Sequence, residues 1–136
     1  MRVLVIDGQG GGLGRQLVTA ITALCPEAEL TAVGTNSMAA SAMLKAGAAR
    51  AATGENAVVV NARRADIIVG PIGIVIADAL LGEITPAMAA AICQTRVLIP
   101  VNHCENFVVG VPEGPVSQLV QTAAQKVKEL CTTGCK

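Results

Sequence analysis

The feature that most constrains the fold is the stretch at residues 3–24, where an apolar run leads into a glycine loop. Residues 3–6 are four apolar, mostly β-branched residues, and five glycines lie between positions 8 and 14. Apolar residues then recur at helical spacing at Leu17, Val18, Ile21 and Leu24. A strand, a glycine loop and a helix in this order are typical of nucleotide-binding α/β domains. Glycine lets the loop turn with positive φ and lets a phosphate approach the backbone amides at the helix start.

The spacing of the glycines narrows the type of loop. The dinucleotide fingerprint G-x-G-x-x-G fits nowhere, and the phosphate loop of kinases and ATPases is excluded because Gly14 is followed by Arg15 and Gln16. Gly8, Gly12 and Gly14 do fit G-x-x-x-G-x-G, and this loop resembles the cofactor loop of short-chain dehydrogenases. The resemblance implies cofactor contacts only, because the chain has no tyrosine for the Tyr-x-x-x-Lys pair of those enzymes.

Asp7, at the end of the first predicted strand, departs from the dehydrogenase pattern, in which a neutral residue is usual at this position. A carboxylate there would repel a pyrophosphate unless loop amides bind it. The glycines would then serve only the close packing of strand and helix, and this alternative stays open beside phosphate binding. A buried Asp7 bonded to loop amides would favour the structural alternative, and an anion bound on those amides would exclude it.

The predicted cofactor contacts follow three of the predicted strands. They are Gly8, Gln9, Gly10, Gly11, Gly12, Leu13 and Gly14 in the glycine loop, Thr35, Asn36 and Ser37 after the second strand, and Gly70 and Pro71 after a later one. In dinucleotide folds an acid after the second strand selects NAD, whereas an arginine accommodates NADP. Segment 35–37 carries neither, so the sequence slightly favours NADP and leaves NAD open. Asn36 or Ser37 as the cap of a helix over 38–46 is an equally good interpretation.

Composition indicates how the core is built. Apolar residues make up 52% of the chain, yet Phe107 is its single aromatic residue. A core of Val, Ile, Leu and Ala is typical of parallel strands that helices cover on both faces. We therefore predict a three-layer, Rossmann-like α/β fold with a mostly parallel sheet of about five or six strands, in one domain over residues 1–136.

Alternating strand and helix patterns continue along the whole chain. Strands are predicted at 3–6, 29–33, 48–52, 66–69, 96–101 and 107–111, and helices at 12–24, 38–46, from 53–56 towards 64, 74–81, 86–93 and 116–130. The tail 131–136 is predicted to fray. Helices 74–81 and 86–93 are more apolar than one small sheet requires, which favours a homo-oligomer. Thr85 followed by Pro86 marks the start of the second of these helices.

Charge and cysteine usage exclude several classes of partner. The formal net charge is zero, no basic stripe is visible and aromatic platforms are missing, so nucleic acid is not an expected partner. No apolar run approaches the ~18 residues of a membrane span. Five cysteines without an export signal indicate reduced thiols, so we expect a cytoplasmic protein. The expected partners are a small-molecule nucleotide and further copies of the chain.

The most polar cluster follows the strand at 96–101 and supplies the candidate catalytic residues Asn102, His103 and Cys104. His103 could act as acid or base, Asn102 could orient a substrate, and the imidazole beside Cys104 could make it a nucleophile. The competing interpretation makes His103 a lining donor and Cys104 a small buried apolar residue. A C-x-x-x-C pair near the end is not a zinc pattern, so no metal site is predicted. Because the carboxyl ends of parallel strands meet at one edge, these loops should line a single crevice.

A second resemblance covers nearly the whole chain. Segments 5–16, 34–36, 66–74 and 99–102 are similar to a small bacterial family known only as a domain of unknown function. The resemblance implies a small Rossmann-like protein and no particular activity. The predicted function is therefore the binding of a nucleotide or dinucleotide. As an enzyme the protein would be a small NAD(P)-dependent oxidoreductase, and the alternative is a non-catalytic nucleotide-sensing or structural subunit of an oligomer.

Overall fold

Strands and helices alternate through the protein, as the sequence pattern predicts. The computed structural model describes residues 1–105 and 108–134. In chain order the elements are β1 (Arg2–Asp7), α1 (Gly12–Leu24), β2 (Glu29–Gly34), α2 (Ser37–Lys45), β3 (Arg50–Thr53), α3 (Glu55–Ala62), β4 (Ile67–Pro71), α4 (Pro86–Cys93), β5 (Leu98–Val101) and α5 (Val116–Thr133), with a short 3₁₀ helix at Ile72–Val75 between β4 and α4.

The strands form one parallel sheet in the order β3-β2-β1-β4-β5. β1 lies in the middle, where Val3 pairs with Leu30 of β2 on one side and with Ile67 of β4 on the other. The chain therefore builds the sheet outward in both directions from β1, and the strand order reverses between β1 and β4. In open parallel sheets a crevice forms at this reversal, beyond the carboxyl ends of the strands.

Two apolar cores lie on opposite faces of the sheet, because successive side chains of a strand point to opposite sides. Val3 and Val5 belong to the core beneath α1, α2 and α5, whereas Leu4 and Ile6 belong to the core beneath α3 and α4. The side chains that fill both cores are almost all Val, Ile, Leu and Ala, with Met43 and Met88 among them. The predicted three-layer, Rossmann-like α/β fold is confirmed.

Two predicted helix starts are confirmed by their capping hydrogen bonds. The Asn36 side chain accepts a bond from the Ala39 amide at 2.9 Å at the start of α2. The Thr85 hydroxyl accepts one from the Met88 amide at 3.2 Å, with Pro86 as the first helical residue of α4. Side-chain oxygens at these positions satisfy amides that a helix leaves without a partner.

The helix predicted at 74–81 is wrong. After the 3₁₀ helix the chain passes through turns in which Asp78, Leu80 and Leu81 have positive φ angles of 65°, 56° and 57°. Left-handed residues cannot continue a right-handed helix. Ile74 and Leu80 are buried in the chain's own core, so this segment does not supply the uncovered apolar helix on which the homo-oligomer was argued. The oligomer itself stays a prediction.

The sixth strand predicted at 107–111 is also wrong in its described part. Residues 109 and 110 form a turn, with Gly110 at a φ of 88°, and residues 108 and 111 beside it are not in a strand. Asn106 and Phe107 lie outside the described residues. The side-chain amide nitrogen of Asn102 donates to the Val108 carbonyl at 3.0 Å.

At the other end of the chain, part of the tail predicted to fray is helical. Residues 131–133 continue α5, whereas Cys135 and Lys136 lie outside the described part of the chain. Within that part, no helix combines the length and the apolarity needed to cross a bilayer.

Candidate functional site

The loops predicted to converge do meet at the carboxyl edge of the sheet. The glycine loop follows β1, Thr35 and Asn36 follow β2, and residues 102–105 follow β5. A connection that the sequence did not place here, residues 76–85 between the 3₁₀ helix and α4, crosses the same edge and reaches the glycine loop through Glu83. This edge, where open parallel sheets have their binding crevice, therefore gathers residues from four parts of the chain.

The side chain of Asp7 connects the first and last glycines of the loop. Its side chain is buried, and its two carboxylate oxygens accept the Gly8 amide at 2.8 Å and the Gly14 amide at 2.6 Å. Burial raises the pKa of Asp7, and the Gly14 and Gly8 amides and the charge of His103 oppose this rise, while the charge of Glu83 adds to it. The carboxylate thus ties the end of β1 to the first turn of α1.

Three of the five loop glycines are required by packing within the chain. A Cβ atom at Gly8 would lie 2.7 Å from Glu83 Oε2, one at Gly11 would lie 2.7 Å from the Ala39 Cα, and one at Gly14 would lie 2.6 Å from the Met43 sulfur. At such distances the neighbouring atoms would have to move; these are backbone atoms of α2 at Gly11 and side-chain atoms at Gly8 and Gly14. These glycines (Gly8, Gly11 and Gly14) are called the closed half of the loop.

The other two glycines have no such requirement. A Cβ atom at Gly10 or at Gly12 would meet nothing within 4 Å, and neither residue has a positive φ. Both are exposed, and the amides of Gly10, Gly12 and Leu13 have no acceptor among residues 1–105 and 108–134. The side chain of Leu13 packs into the core instead. Gly10 and Gly12, with the Leu13 amide, are called the open half of the loop.

Glu83 is a site residue that the sequence interpretation missed. Its Oε2 atom accepts the Gln9 amide at 2.6 Å and the Thr35 hydroxyl at 3.2 Å, and its Oε1 atom accepts the Asn36 side-chain amide at 2.8 Å. The Asn36 nitrogen also donates to the Gln9 carbonyl at 2.8 Å. No local motif marks Glu83, because it lies 48 residues beyond Thr35 in the chain.

The three candidate catalytic residues have different surroundings. Asn102 is engaged by the Val108 carbonyl, and Cys104 is half-buried beside Gly73 and packs against the core under α4. His103 is exposed, its backbone amide donates to the Val101 carbonyl at 2.7 Å, and it acts electrostatically on Asp7. Of the three candidate catalytic residues, His103 is therefore the one whose side chain is exposed to solvent.

The remaining predicted cofactor contacts differ in how exposed they are. Ser37 is exposed on the first turn of α2, whereas Gly70 and Pro71 are buried at the end of β4. A Cβ atom at Gly70 would collide with the Ile6 carbonyl of the neighbouring strand, so this glycine is explained by the close approach of β1 and β4. Across the part of the chain that the structure describes, His, Cys, Asp and Glu side chains form no group of three that could hold a metal ion.

A parallel sheet that helices cover on both faces, with a glycine loop at the reversal of its strand order, defines a Rossmann-like α/β protein. The chain belongs to the family described as Domain of unknown function (DUF3842), whose profile matches residues 2–132. No curated protein matches the chain by sequence. The predicted resemblance to a domain of unknown function is confirmed, and membership of this family implies no particular activity.

Proposed function

We propose that this protein binds a nucleotide or dinucleotide in the crevice, with a phosphate over the open half of the glycine loop. The observation that carries the proposal is the absence of an internal reason for glycine at Gly10 and Gly12. Neither position has a strained backbone or a close neighbour among the described residues. Glycine at such positions suits a ligand that must come against the backbone itself.

The donors of the open half support an anionic group there. The amides of Gly10, Gly12 and Leu13 have no acceptor in the described chain, and two of them belong to the first turn of α1. A helix N-terminus carries a partial positive charge that favours a phosphate. The carboxylate of Asp7 is bound by the Gly8 and Gly14 amides, which lowers its repulsion of an anion on the neighbouring amides.

The rest of a dinucleotide would extend along the crevice in two directions. Thr35 and Asn36, after β2, lie at the position where such folds meet the adenosine ribose. His103, after β5, lies on the other side of β1 and would face the reacting group. As an enzyme the protein would be a small NAD(P)-dependent oxidoreductase with His103 as its acid or base, because Asn102 and Cys104 are engaged or half-buried.

A second function, a structural or nucleotide-sensing subunit without catalysis, is favoured by the two carboxylates of the loop. Asp7 and Glu83 together satisfy the amides of Gly8, Gln9 and Gly14 from within the chain. A loop held by these three bonds keeps its shape without any ligand. In a structural subunit the open half is never occupied, whereas a nucleotide-sensing subunit would bind its ligand there and lack catalysis.

Thermal-shift titrations with NAD, NADP, ADP and ATP test the proposal directly. A ligand at ~100 times its Kd adds about 2.7 kcal/mol of stability, which raises the Tm of a domain of this size by several degrees. We expect such a shift for the wild type. Gly10→Ala and Gly12→Ala should abolish the shift while leaving the Tm of the free protein within about 3 °C of wild type, because their Cβ atoms enter open space.

Ser117→Ala, in the exposed first turn of α5, is the matched control and should leave the ligand shift unchanged. Absence of a shift with every nucleotide would refute the proposal and favour the structural subunit. A shift that persists in Gly10→Ala and Gly12→Ala would place the phosphate elsewhere than on the open half.

A further inference from the structure

A carboxylate lies where a dinucleotide fold usually places the acid that follows its second strand. Segment 35–37, directly after β2, contains no acid, but Glu83 reaches this corner from the connection between β4 and α4. It accepts the Thr35 hydroxyl at 3.2 Å and the Asn36 side-chain amide at 2.8 Å, and it accepts the Gln9 amide of the glycine loop at 2.6 Å. Its position is thus fixed from both the loop and the end of β2.

We propose that Glu83 accepts the ribose 2′-hydroxyl of the bound nucleotide and so restricts the site to nucleotides that carry no 2′-phosphate. The inference rests on the proposed function, since it assigns the ribose end of the same ligand. It reverses the slight preference for NADP that segment 35–37 alone suggests, because the negative charge missing from that segment is supplied by a residue distant in the chain.

The hydrogen bonds of Glu83 leave it able to accept a further hydroxyl. A carboxylate offers about four lone-pair directions, and the described chain uses three of them, two on Oε2 and one on Oε1. A bond from a hydroxyl to a charged acceptor is stronger than one between neutral groups. Oε1 therefore keeps one acceptor direction that a ribose hydroxyl could use.

The charges around Glu83 act against a phosphate in the same place. Among residues 1–105 and 108–134, no lysine or arginine forms an ion pair with Glu83. A 2′-phosphate would meet the Glu83 carboxylate in a half-buried corner, where like charges repel more strongly than in water.

The backbone that delivers Glu83 contains several left-handed residues. Asp78, Leu80 and Leu81, which precede it, have positive φ angles of 65°, 56° and 57°, and its partner Gln9 has a φ of 47°. Leu80 is buried in the core, whereas Leu81 is 83% exposed, so burial of the side chain accounts for the conformation at Leu80 and not at Leu81. Strained residues collect at binding sites, where a precise placement is worth their cost.

Isothermal titration of NAD and NADP, which differ only by the 2′-phosphate, into the wild type and Glu83→Gln tests the inference. We expect the wild type to bind NAD tighter than NADP on the order of tenfold or more, from like-charge repulsion alone. Glu83→Gln keeps the shape and removes the charge, so its NAD affinity should fall and its preference should narrow to within roughly threefold. Glu129→Gln is the matched control, because Glu129 is exposed near the end of α5, pairs with Lys126 and forms no bond to the glycine loop or to residues 76–85; it should keep the wild-type ratio.

Other results of these titrations would contradict either the role of Glu83 or the proposed function. Equal binding of NAD and NADP by the wild type, or an unchanged ratio in Glu83→Gln with a wild-type Tm, would overturn the role of Glu83 and leave nucleotide binding standing. An equal gain for both nucleotides in Glu83→Gln would mean that the carboxylate merely blocks the loop, which also overturns it. Failure of the wild type to bind either dinucleotide would overturn the inference, and the proposed function would fall as well only if ADP and ATP also gave no thermal shift.

Discussion

Gly14 and Gly12 stand two residues apart in the first turn of α1, and a side chain at each would meet opposite surroundings. At Gly14 a Cβ atom would lie 2.6 Å from the Met43 sulfur and 2.7 Å from the Asp7 Cβ, whereas at Gly12 it would meet nothing within 4 Å. The closed half of the loop is explained by the chain itself and the open half is not. A run of glycines can therefore combine two requirements that the spacing pattern does not separate.

The buried carboxylate of the closed half should be the most sensitive point of this comparison. Asp7→Ala removes the acceptor of the Gly8 and Gly14 amides, and each buried amide left without a partner costs about 1–3 kcal/mol. Urea unfolding should show this loss in full. Asp7→Asn, which keeps one acceptor oxygen, should lose less. A wild-type midpoint in Asp7→Ala would mean that other groups or water satisfy both amides and that the closed half is not closed.

A Cβ atom in the closed half should cost more than one in the open half. Gly14→Ala forces the Met43 side chain and the Asp7 carboxylate to move, and overpacking of this kind costs about 1–3 kcal/mol. Gly12→Ala should change stability by less than about 1 kcal/mol, in the stabilising direction, because Ala restricts the unfolded chain more than Gly does. The difference in unfolding free energy between the two variants is the measurement. Equal losses would erase the distinction between the two halves.

The smallest expected effect is a pH dependence confined to the closed half. Burial raises the pKa of Asp7 in the folded protein, against the Gly14 and Gly8 amides. A raised folded pKa means that the stabilising contribution is fully present below the unfolded value of about 3.9 and is lost as the pH rises through the folded value.

The wild type should therefore lose Tm relative to Asp7→Asn as the pH rises from about 4 towards neutrality. Gly12→Ala, in the open half, should follow the wild type throughout this range. A constant difference between the wild type and Asp7→Asn would show that Asp7 has the same pKa in the folded and unfolded states.

The sequence predicts well the elements whose signals are local. Residues 3–6 and the helical spacing after Gly12 predict β1 and α1, and the observed α1 at Gly12–Leu24 has the predicted bounds. Asn36 and Thr85 act as helix caps because capping needs only a side-chain oxygen within three residues of the amide it accepts.

Local sequence patterns fail to predict a conformation or a site residue in two cases. In one the deciding contact is with a residue distant in the chain, and in the other an apolar run is compatible with more than one conformation. Residues 74–81 are apolar enough for a buried helix. The left-handed turn residues Leu80 and Leu81 are not glycines, so the sequence gives no sign of the turn before Gly82. Glu83 is invisible as a site residue because its partners Gln9 and Asn36 lie far back in the chain. The ligand of the candidate site stays a prediction, whereas the contacts of Asp7 and Glu83 with the glycine loop follow from the fold.

The central place of β1 sets the order in which this sheet can be completed during synthesis. Val3 pairs with Leu30 and with Ile67, so one flank of β1 has to wait until residue 67 has been made. At about 5–20 residues per second this delay is on the order of several seconds. Through that interval a strand of Val, Leu and Ile has an unpaired edge. The central strand of the finished sheet is thus the inner strand that keeps an unpaired edge for the longest time during synthesis.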